Sequence, residues 1–255
     1  MSDMLRVERR GDVLVLTLNR PERLNAAPPA LFDAIREALD ARDDARAVLI
    51  AGEGRAFCSG ADISGGDVGP DTVHRALVEH YNPAMQALAD LPIPVVSAVR
   101  GAAAGIGCSL ALAADFCITS DNAYFLHAFV NIGLVPDGGA SWMLPRLIGR
   151  ARAAEMMMLG ERLPATRALD WGMIHKVIAD AALDAEAFAL AERLAAGPSV
   201  ALGLMRRALH AGFDSDYATA LAREATDQRT ARATQDGEEG GRAFFEKRPP
   251  RFQGR

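Results

Sequence analysis

At 255 residues, half of them hydrophobic, the chain is long enough to bury one large core or two small ones. A formal net charge of −5 leaves no general basic face, which argues against nucleic-acid binding while permitting a local basic patch for a phosphorylated ligand. The longest apolar run, AAAGIGCSLALAA, is too short for a membrane span, and three cysteines without CxxC spacing offer neither a disulfide framework nor a zinc site. The N-terminus mixes charges of both signs and does not read as a signal peptide, so a reduced, soluble, cytoplasmic protein is expected.

In chain order, VLVLTL (Val13 to Leu18) reads as a buried strand closed by NRPERLN. PPALFDAIREALDARDD follows, with Leu31, Ile35 and Leu39 on one helical face and prolines at its start. AVLIAG (Ala47 to Gly52) is a second buried strand, ending in the loop EGRAFCSGADISGGDVGP. A helical segment from about Thr72 to Leu91 contains Pro83, which should kink or break it. IPVVSAVRG is a third strand, entering a glycine-marked turn and the small-residue helix of AAAGIGCSLALAADF. FCIT and AYFLHA are short strands around the turn SDN. Helical sequence then runs from Ser141, MIHKVI is a last strand, and from Ala181 onward the pattern is helical with breaks at AAGPS and HAGFDSD. Strands alternating with helices, then helices alone, predict one α/β core with a helical tail.

GAAAGIG (Gly101 to Gly107) joins a strand to a helix, a context that suits a phosphate-cradling turn in a nicotinamide oxidoreductase. That reading fails on two counts. The glycines come after residue 100 instead of after the first strand, and none of Tyr81, Tyr124 and Tyr217 has a lysine near it; Lys176 and Lys247 are the chain's only two. The unpaired N–H groups at such a helix start can instead stabilise an oxyanion, or the glycines can simply allow a tight turn. Asp137, in VPDGG, carries the same ambiguity: Pro-Asp-Gly is a common turn signal, yet the carboxylate is flanked by apolar residues.

Six segments in register decide between these readings: LNRPERLNA, GRAFCSGADI, RGAAAGIGCSLALAADF, NIGLVPDGGASWMLPRLIG, ALDWGMIHKVI and FFEKRPPRFQGR. Together they resemble the enoyl-CoA hydratase/isomerase superfamily, the crotonases, from the first strand to the C-terminus, and are most similar to the phenylacetyl-CoA ring-epoxide isomerases. The resemblance implies an α/β, crotonase-like spiral of ββα units over residues 1–195 and a C-terminal helical oligomerisation region over residues 196–255, assembled as a homotrimer or dimer of trimers. It implies an acyl-CoA thioester substrate, with coenzyme A as part of that substrate and no metal or redox cofactor. It also implies that the backbone N–H groups of Ala61 and Ile106 clamp the thioester oxygen, where neighbouring glycines such as Gly105 let the backbone approach closely.

Around that clamp, the resemblance places Ser59, Asp62 and Ile63 on the substrate loop, with Asp62 expected to fix the loop by hydrogen bonding. Arg23, Leu24 and Ala26 are expected to wall the CoA nucleotide, and Phe244 and Lys247 to add CoA contacts, often to a neighbouring subunit. Arg20, Arg23 and Arg55 read equally as surface charge or phosphate ligands. ISGGDVGPDTVHRALVEHY is expected to shape the acyl pocket.

The family's hydratases use two glutamates to activate water; Ser109 and Phe129 stand at those positions here. The isomerase branch carries a carboxylate at the position of Asp137. Ile132, Leu134, Val135 and Trp142 are expected to desolvate that carboxylate and raise its pKa. The resemblance thus implies an isomerase that moves a double bond, or rearranges a ring epoxide, through a thioester enolate, with Asp137 as acid/base. The alternatives are a hydratase with a degenerate acid/base pair, a dehalogenase with Asp137 as nucleophile, and a CoA-binding pseudoenzyme. His127 reads as a satisfied structural histidine, His74 and His80 as solvated, and Cys58 and Cys108 as unreactive for want of an adjacent base.

Overall fold

A computed structural model describes residues 3–64 and 69–255. Residues 65–68, part of the segment expected to shape the acyl pocket, lie outside the described residues.

The two buried runs become β2 (Val13–Leu18) and β3 (Ala47–Gly52), paired parallel with Val13 opposite Ala47. β3 pairs in turn with β4 (Val95–Val99), β4 with β6 (Phe116–Ser120) and β6 with β9 (Lys176–Ile178), all parallel. β1 (Leu5–Arg10) closes the other edge as an antiparallel hairpin with β2. Its LRVERR carries no strand signal because an edge strand needs few buried residues: only Leu5 is fully buried. The inner strands follow the two-residue period. Leu14, Leu16, Leu18, Val48 and Ile50 enter one core, whereas Val13, Val15, Ala47 and Leu49 enter a second on the opposite face.

The first core is covered by α1 (Pro29–Asp40), which buries Leu31, Phe32, Ile35 and Leu39. The second is covered by α7 (Leu183–Ala195), whose Ala187, Ala191 and Ala195 let it lie close to the sheet. The helix expected around Pro83 runs on without a break: α2 (Pro70–Ala76) and α3 (Asn82–Ala89) are joined through a π turn at Leu77–Tyr81 whose flanking residues keep right-handed helical dihedrals. Pro83 has no N–H for the α-helical ladder, and the widened turn before it absorbs that loss.

A second sheet stacks β5 (Ala102–Ala104), β7 (Tyr124–Leu126) and the two-residue β8 (Leu163–Pro164). Strand pairs feed helices twice over: β4 and β5 lead into α4 (Ile106–Leu112), and β6 and β7 lead towards α5 (Ala140–Leu159). This is the expected strand–strand–helix repeat. Gly149 (φ 76°, ψ 159°) interrupts α5, so its 20 residues are two helices across a kink.

After α6 (Ala165–Asp170) and α7 come α8 (Ser199–Gly212), α9 (Tyr217–Arg232) and α10 (Gln235–Glu246). Arg206 on α8 is only 4% exposed. It donates to both oxygens of Asp115 and to the carbonyls of Leu88, Ala89 and Leu91, tying the tail to the core. Asp115, which also accepts Val95 N–H, therefore has a structural role. α9 buries no residue at all. Among the described residues, no single helix is long and apolar enough to cross a membrane.

Candidate active site

Two backbone crossings bring the loop after β3 against the start of α4. Cys58 N–H donates to Ala102 O at 3.0 Å and Ala104 N–H donates to Cys58 O at 2.9 Å, so residues 58 and 103 pair like parallel strands. Gly107 permits the approach, since a Cβ there would stand 2.6 Å from the Cβ of Cys58. Gly105 (φ 52°, ψ −128°) then turns the chain into α4 through a conformation that L-residues avoid. The result places Ala61 and Ile106, expected from the sequence, at facing loop ends: a Cβ on Gly105 would lie 3.6 Å from Gly60 Cα. Neither the Ala61 nor the Ile106 amide has a backbone acceptor among the described residues. Two free donors, one at a helix N-terminus, make a site for a developing negative oxygen.

Asp62 has the loop-fixing role expected of it. Its carboxylate accepts Ser64 N–H and Oγ–H (3.1 and 2.6 Å) and an Arg20 N–H at 2.8 Å. These bonds, with the Arg20 charge, hold its carboxyl at about 2, so it is a permanent anion. Arg20 is thereby committed to the protein, donating also to Ala26 O, and is not a free phosphate ligand. Arg23 and Ile63 remain exposed beside it.

Asp137 behaves quite differently. One carboxylate oxygen, Oδ1, is buried and has no hydrogen-bond partner among the described residues. Burial pushes its carboxyl up to about 6; a bond from its own amide offsets only part of that rise. The cause differs from the expected one. Val135 is 80% exposed, Ile132 and Leu134 are exposed as well, and Trp142 turns its ring to Arg146 (4.3 Å), His210 and Phe213. Those side chains stand at the surface because Gly138 (φ 60°) and Gly139 (φ 84°) turn the chain sharply into α5, which seats the Asp137 backbone on α4 instead. Ser109 Oγ–H donates to Asp137 O at 2.9 Å, and a Cβ on Gly138 would collide with Ile106 Cδ1 and Ser109 Cβ. The backbone that carries this carboxylate thus rests against Ile106 and Ser109 of α4.

The two positions expected to distinguish a hydratase fall in the same place. Ser109 is buried with its hydroxyl engaged on Asp137, and the Phe129 ring would lie 3.5 Å from a Cβ on Gly105, stacked on His127. Neither can take a proton at neutral pH. His127 is buried as expected, but neither ring nitrogen is satisfied by the described residues; burial lowers its pKa to about 4, so it is neutral. Cys58 and Cys108 are buried thiols pushed above the ordinary range by desolvation, hence unreactive. His80 is not simply solvated, since its Nδ1 meets Asp33 Oδ2 at 2.7 Å.

The turn carrying Arg23, Leu24 and Ala26 lies against this loop, with Ser59 N–H donating to Leu24 O (3.0 Å). Leu24 (φ 52°) and Asn25 (φ 55°) are both left-handed. Buried Asn25 organises the turn: its Oδ1 accepts Arg20 N–H, and its Nδ2 donates to Glu53 O and Ala56 O. Asn25 was not among the candidates read from sequence, although asparagine's tolerance of φ > 0 in a Pro-containing turn was the available signal. Phe244 and Lys247 are exposed at the end of α10, their contacts local to Phe245 and the helix terminus. Among the described residues no group of three or more His, Cys, Asp or Glu gathers to hold a metal.

A family model described as enoyl-CoA hydratase/isomerase matches residues 8–255. The chain is 42% identical over 252 residues to a probable enoyl-CoA hydratase of Rhodobacter capsulatus, covering 98% of each. It is also 42% identical over 250 residues to the 1,2-epoxyphenylacetyl-CoA isomerase of Escherichia coli, covering 95% of each. The crystal structure of a putative enoyl-CoA hydratase from Streptomyces coelicolor superposes with a TM-score of 0.93 at 36% identity, covering 99% of this chain and 94% of that one.

Proposed function

The chain belongs to the enoyl-CoA hydratase/isomerase family, the crotonases, and on that basis we propose that it is an acyl-CoA isomerase with Asp137 as its acid/base. One observation carries the reading: a desolvated carboxylate with one bare oxygen projects from a backbone seated on α4, while the two positions where a hydratase needs glutamates hold Ser109 and Phe129.

The thioester oxygen of the substrate sits between the Ala61 and Ile106 amides. Asp137, ionised above about pH 6, removes a proton from the acyl α carbon, and the electron pair moves onto the thioester oxygen as an enolate. The amides bind that charge more tightly than the neutral carbonyl, and losing one such donor costs about 3 kcal/mol of transition-state stabilisation. The protonated carboxyl then returns the proton to the γ carbon, the enolate collapses, and the double bond has moved from the 3 to the 2 position. A single carboxyl suffices because no water must be activated. A ring epoxide opened by the same enolate is the second substrate class, supported by the similarity to the epoxide isomerase.

The remaining contacts follow from the same reading. Arg23, Leu24 and Ala26 hold the nucleotide end of CoA next to Ser59, and Phe244 and Lys247 serve the site of a neighbouring subunit. The test is turnover of a short 3-enoyl-CoA by wild type and Asp137→Asn. The 2-enoyl product from wild type, lost in the variant, is the expected result. A 3-hydroxyacyl product from 2-enoyl-CoA at comparable rate would instead make the chain a hydratase, as the Rhodobacter relative is named.

A further inference from the structure

An amide is useful as an oxyanion donor only if its peptide plane is held at one angle, and the hydrogen bonds around Ala61 show what holds it. Ala27 N–H donates to Gly60 O at 2.8 Å, and Asp62 N–H donates to Ala27 O at 3.0 Å, so residue 27 grips the chain on both sides of Ala61. The Gly60 carbonyl and the Ala61 N–H belong to the same planar peptide and point in opposite directions. Fixing the carbonyl on Ala27 therefore aims the Ala61 N–H away from Ala27.

The Ala27 carbonyl has a second lone pair, and it is occupied. Tyr81 Oη–H donates to it at 2.7 Å. Tyr81 is buried, its ring 4.7 Å from that of Phe32, and it ends the π turn that precedes Pro83. The extra residue in that turn sets the direction in which the tyrosine enters the core, and π turns are frequent at functional sites. Burial, and then the negative charge of nearby Asp137, raise the phenol above its ordinary range, so it stays a donor and never competes as a base. Tyr81 thus lies within electrostatic reach of the acid/base residue while its hydroxyl is bonded to Ala27, the bridge residue that aims the clamp.

We propose that Tyr81 is a positioning residue: by hydrogen-bonding the Ala27 carbonyl it holds the Gly60–Ala61 peptide at the angle the thioester oxygen requires. The inference rests on the Ala61–Ile106 clamp of the proposed function but not on the reaction class.

The test compares wild type with Tyr81→Phe, which keeps the ring and removes only the hydroxyl. The first readout is the infrared carbonyl band of bound butyryl-CoA labelled with carbon-13 at the thioester carbonyl. Wild type should shift this band to lower frequency than in solution, and the variant should lose part of the shift. With 3-enoyl-CoA, the variant should lose roughly five- to tenfold in kcat with KM within about twofold, the scale of one neutral hydrogen bond acting in the transition state. Phe32→Leu disturbs the same packing without touching the hydroxyl and should lower the melting temperature while leaving the band in place.

An unchanged band and kcat in Tyr81→Phe, with only a lower melting temperature, would reduce Tyr81 to a core residue and overturn the proposal. No shift in wild type would remove the clamp itself and the proposal with it. A shifted band without 3-enoyl-CoA turnover would sink the reaction class alone, and the band comparison would still decide Tyr81. If the Phe variant does not fold, 3-fluorotyrosine at 81, a stronger donor, should move the band further from its solution position; an unmoved band would again overturn the proposal.

Discussion

Asp62 and Asp137 show how far environment separates two identical side chains. The first is ringed by Ser64 and Arg20 and held at about 2; the second is buried with a bare oxygen and raised to about 6. Only the second changes protonation where the enzyme works, so kcat/KM should rise with pH to a plateau above an apparent pKa near 6, read from a pH–rate profile. A profile flat from pH 5 to 8 would contradict the assignment. The raised pKa also has a stability consequence with a definite sign. The folded state holds this proton more tightly than the unfolded chain, so stability is greatest below the unfolded value near 4 and falls as pH rises through about 6. Raising the carboxyl from 3.8 to about 6 corresponds to at most about 3 kcal/mol, less for the solvent that reaches the group. Asp137→Asn should therefore melt several degrees above wild type at pH 8 and lose that advantage at pH 4, even as activity disappears.

At the scale of elements, the site is a product of backbone geometry more than of reactive side chains. Gly105 adopts φ 52° and ψ −128°, and the space around its missing Cβ is adequate, with Phe129 at 3.5 Å. Gly105→Ala should consequently fail through strain, not collision. Such strain is on the order of 1–3 kcal/mol, and kcat should fall at least roughly tenfold with little change in the circular-dichroism spectrum. The glycines, the buried strands VLVLTL and AVLIAG and the face of α1 were legible in the sequence because period and punctuation are local signals. β1, β5 and β8 were not: LRVERR is an edge strand with one fully buried residue, AAA has no β-branched side chain, and Leu163–Pro164 is too short to have a pattern. Asp137 could be picked out by its place in VPDGG, but the residues that bury it could not. Its apolar sequence neighbours face outward, and Ile106 and Ser109, about thirty positions earlier, form the seat of its backbone.

For the whole molecule, the surface left by the tail points to assembly. Tyr217, Leu221, Phe244 and Phe245 are exposed on α9 and α10, and α9 has no buried residue of its own. A helix with no buried face in one chain is accounted for if another copy covers it. We expect a homotrimer or a dimer of trimers, measurable by light scattering; a monomer at micromolar concentration would contradict it. If Lys247 binds CoA away from the reacting carbons, as proposed, Lys247→Ala should raise KM for acyl-CoA severalfold with kcat nearly unchanged.

The most direct test of the central claim follows one hydrogen. A 3-enoyl-CoA deuterated at the α carbon is converted by wild type, and the γ carbon of the 2-enoyl product is examined by mass spectrometry and NMR. If Asp137 alone carries the proton, part of the deuterium arrives at the γ carbon, the rest being lost to solvent exchange at the carboxyl, and Asp137→Asn neither exchanges nor isomerises. Continued isomerisation by Asp137→Asn would show that another group moves the proton and that Asp137 is only the turn its sequence first suggested.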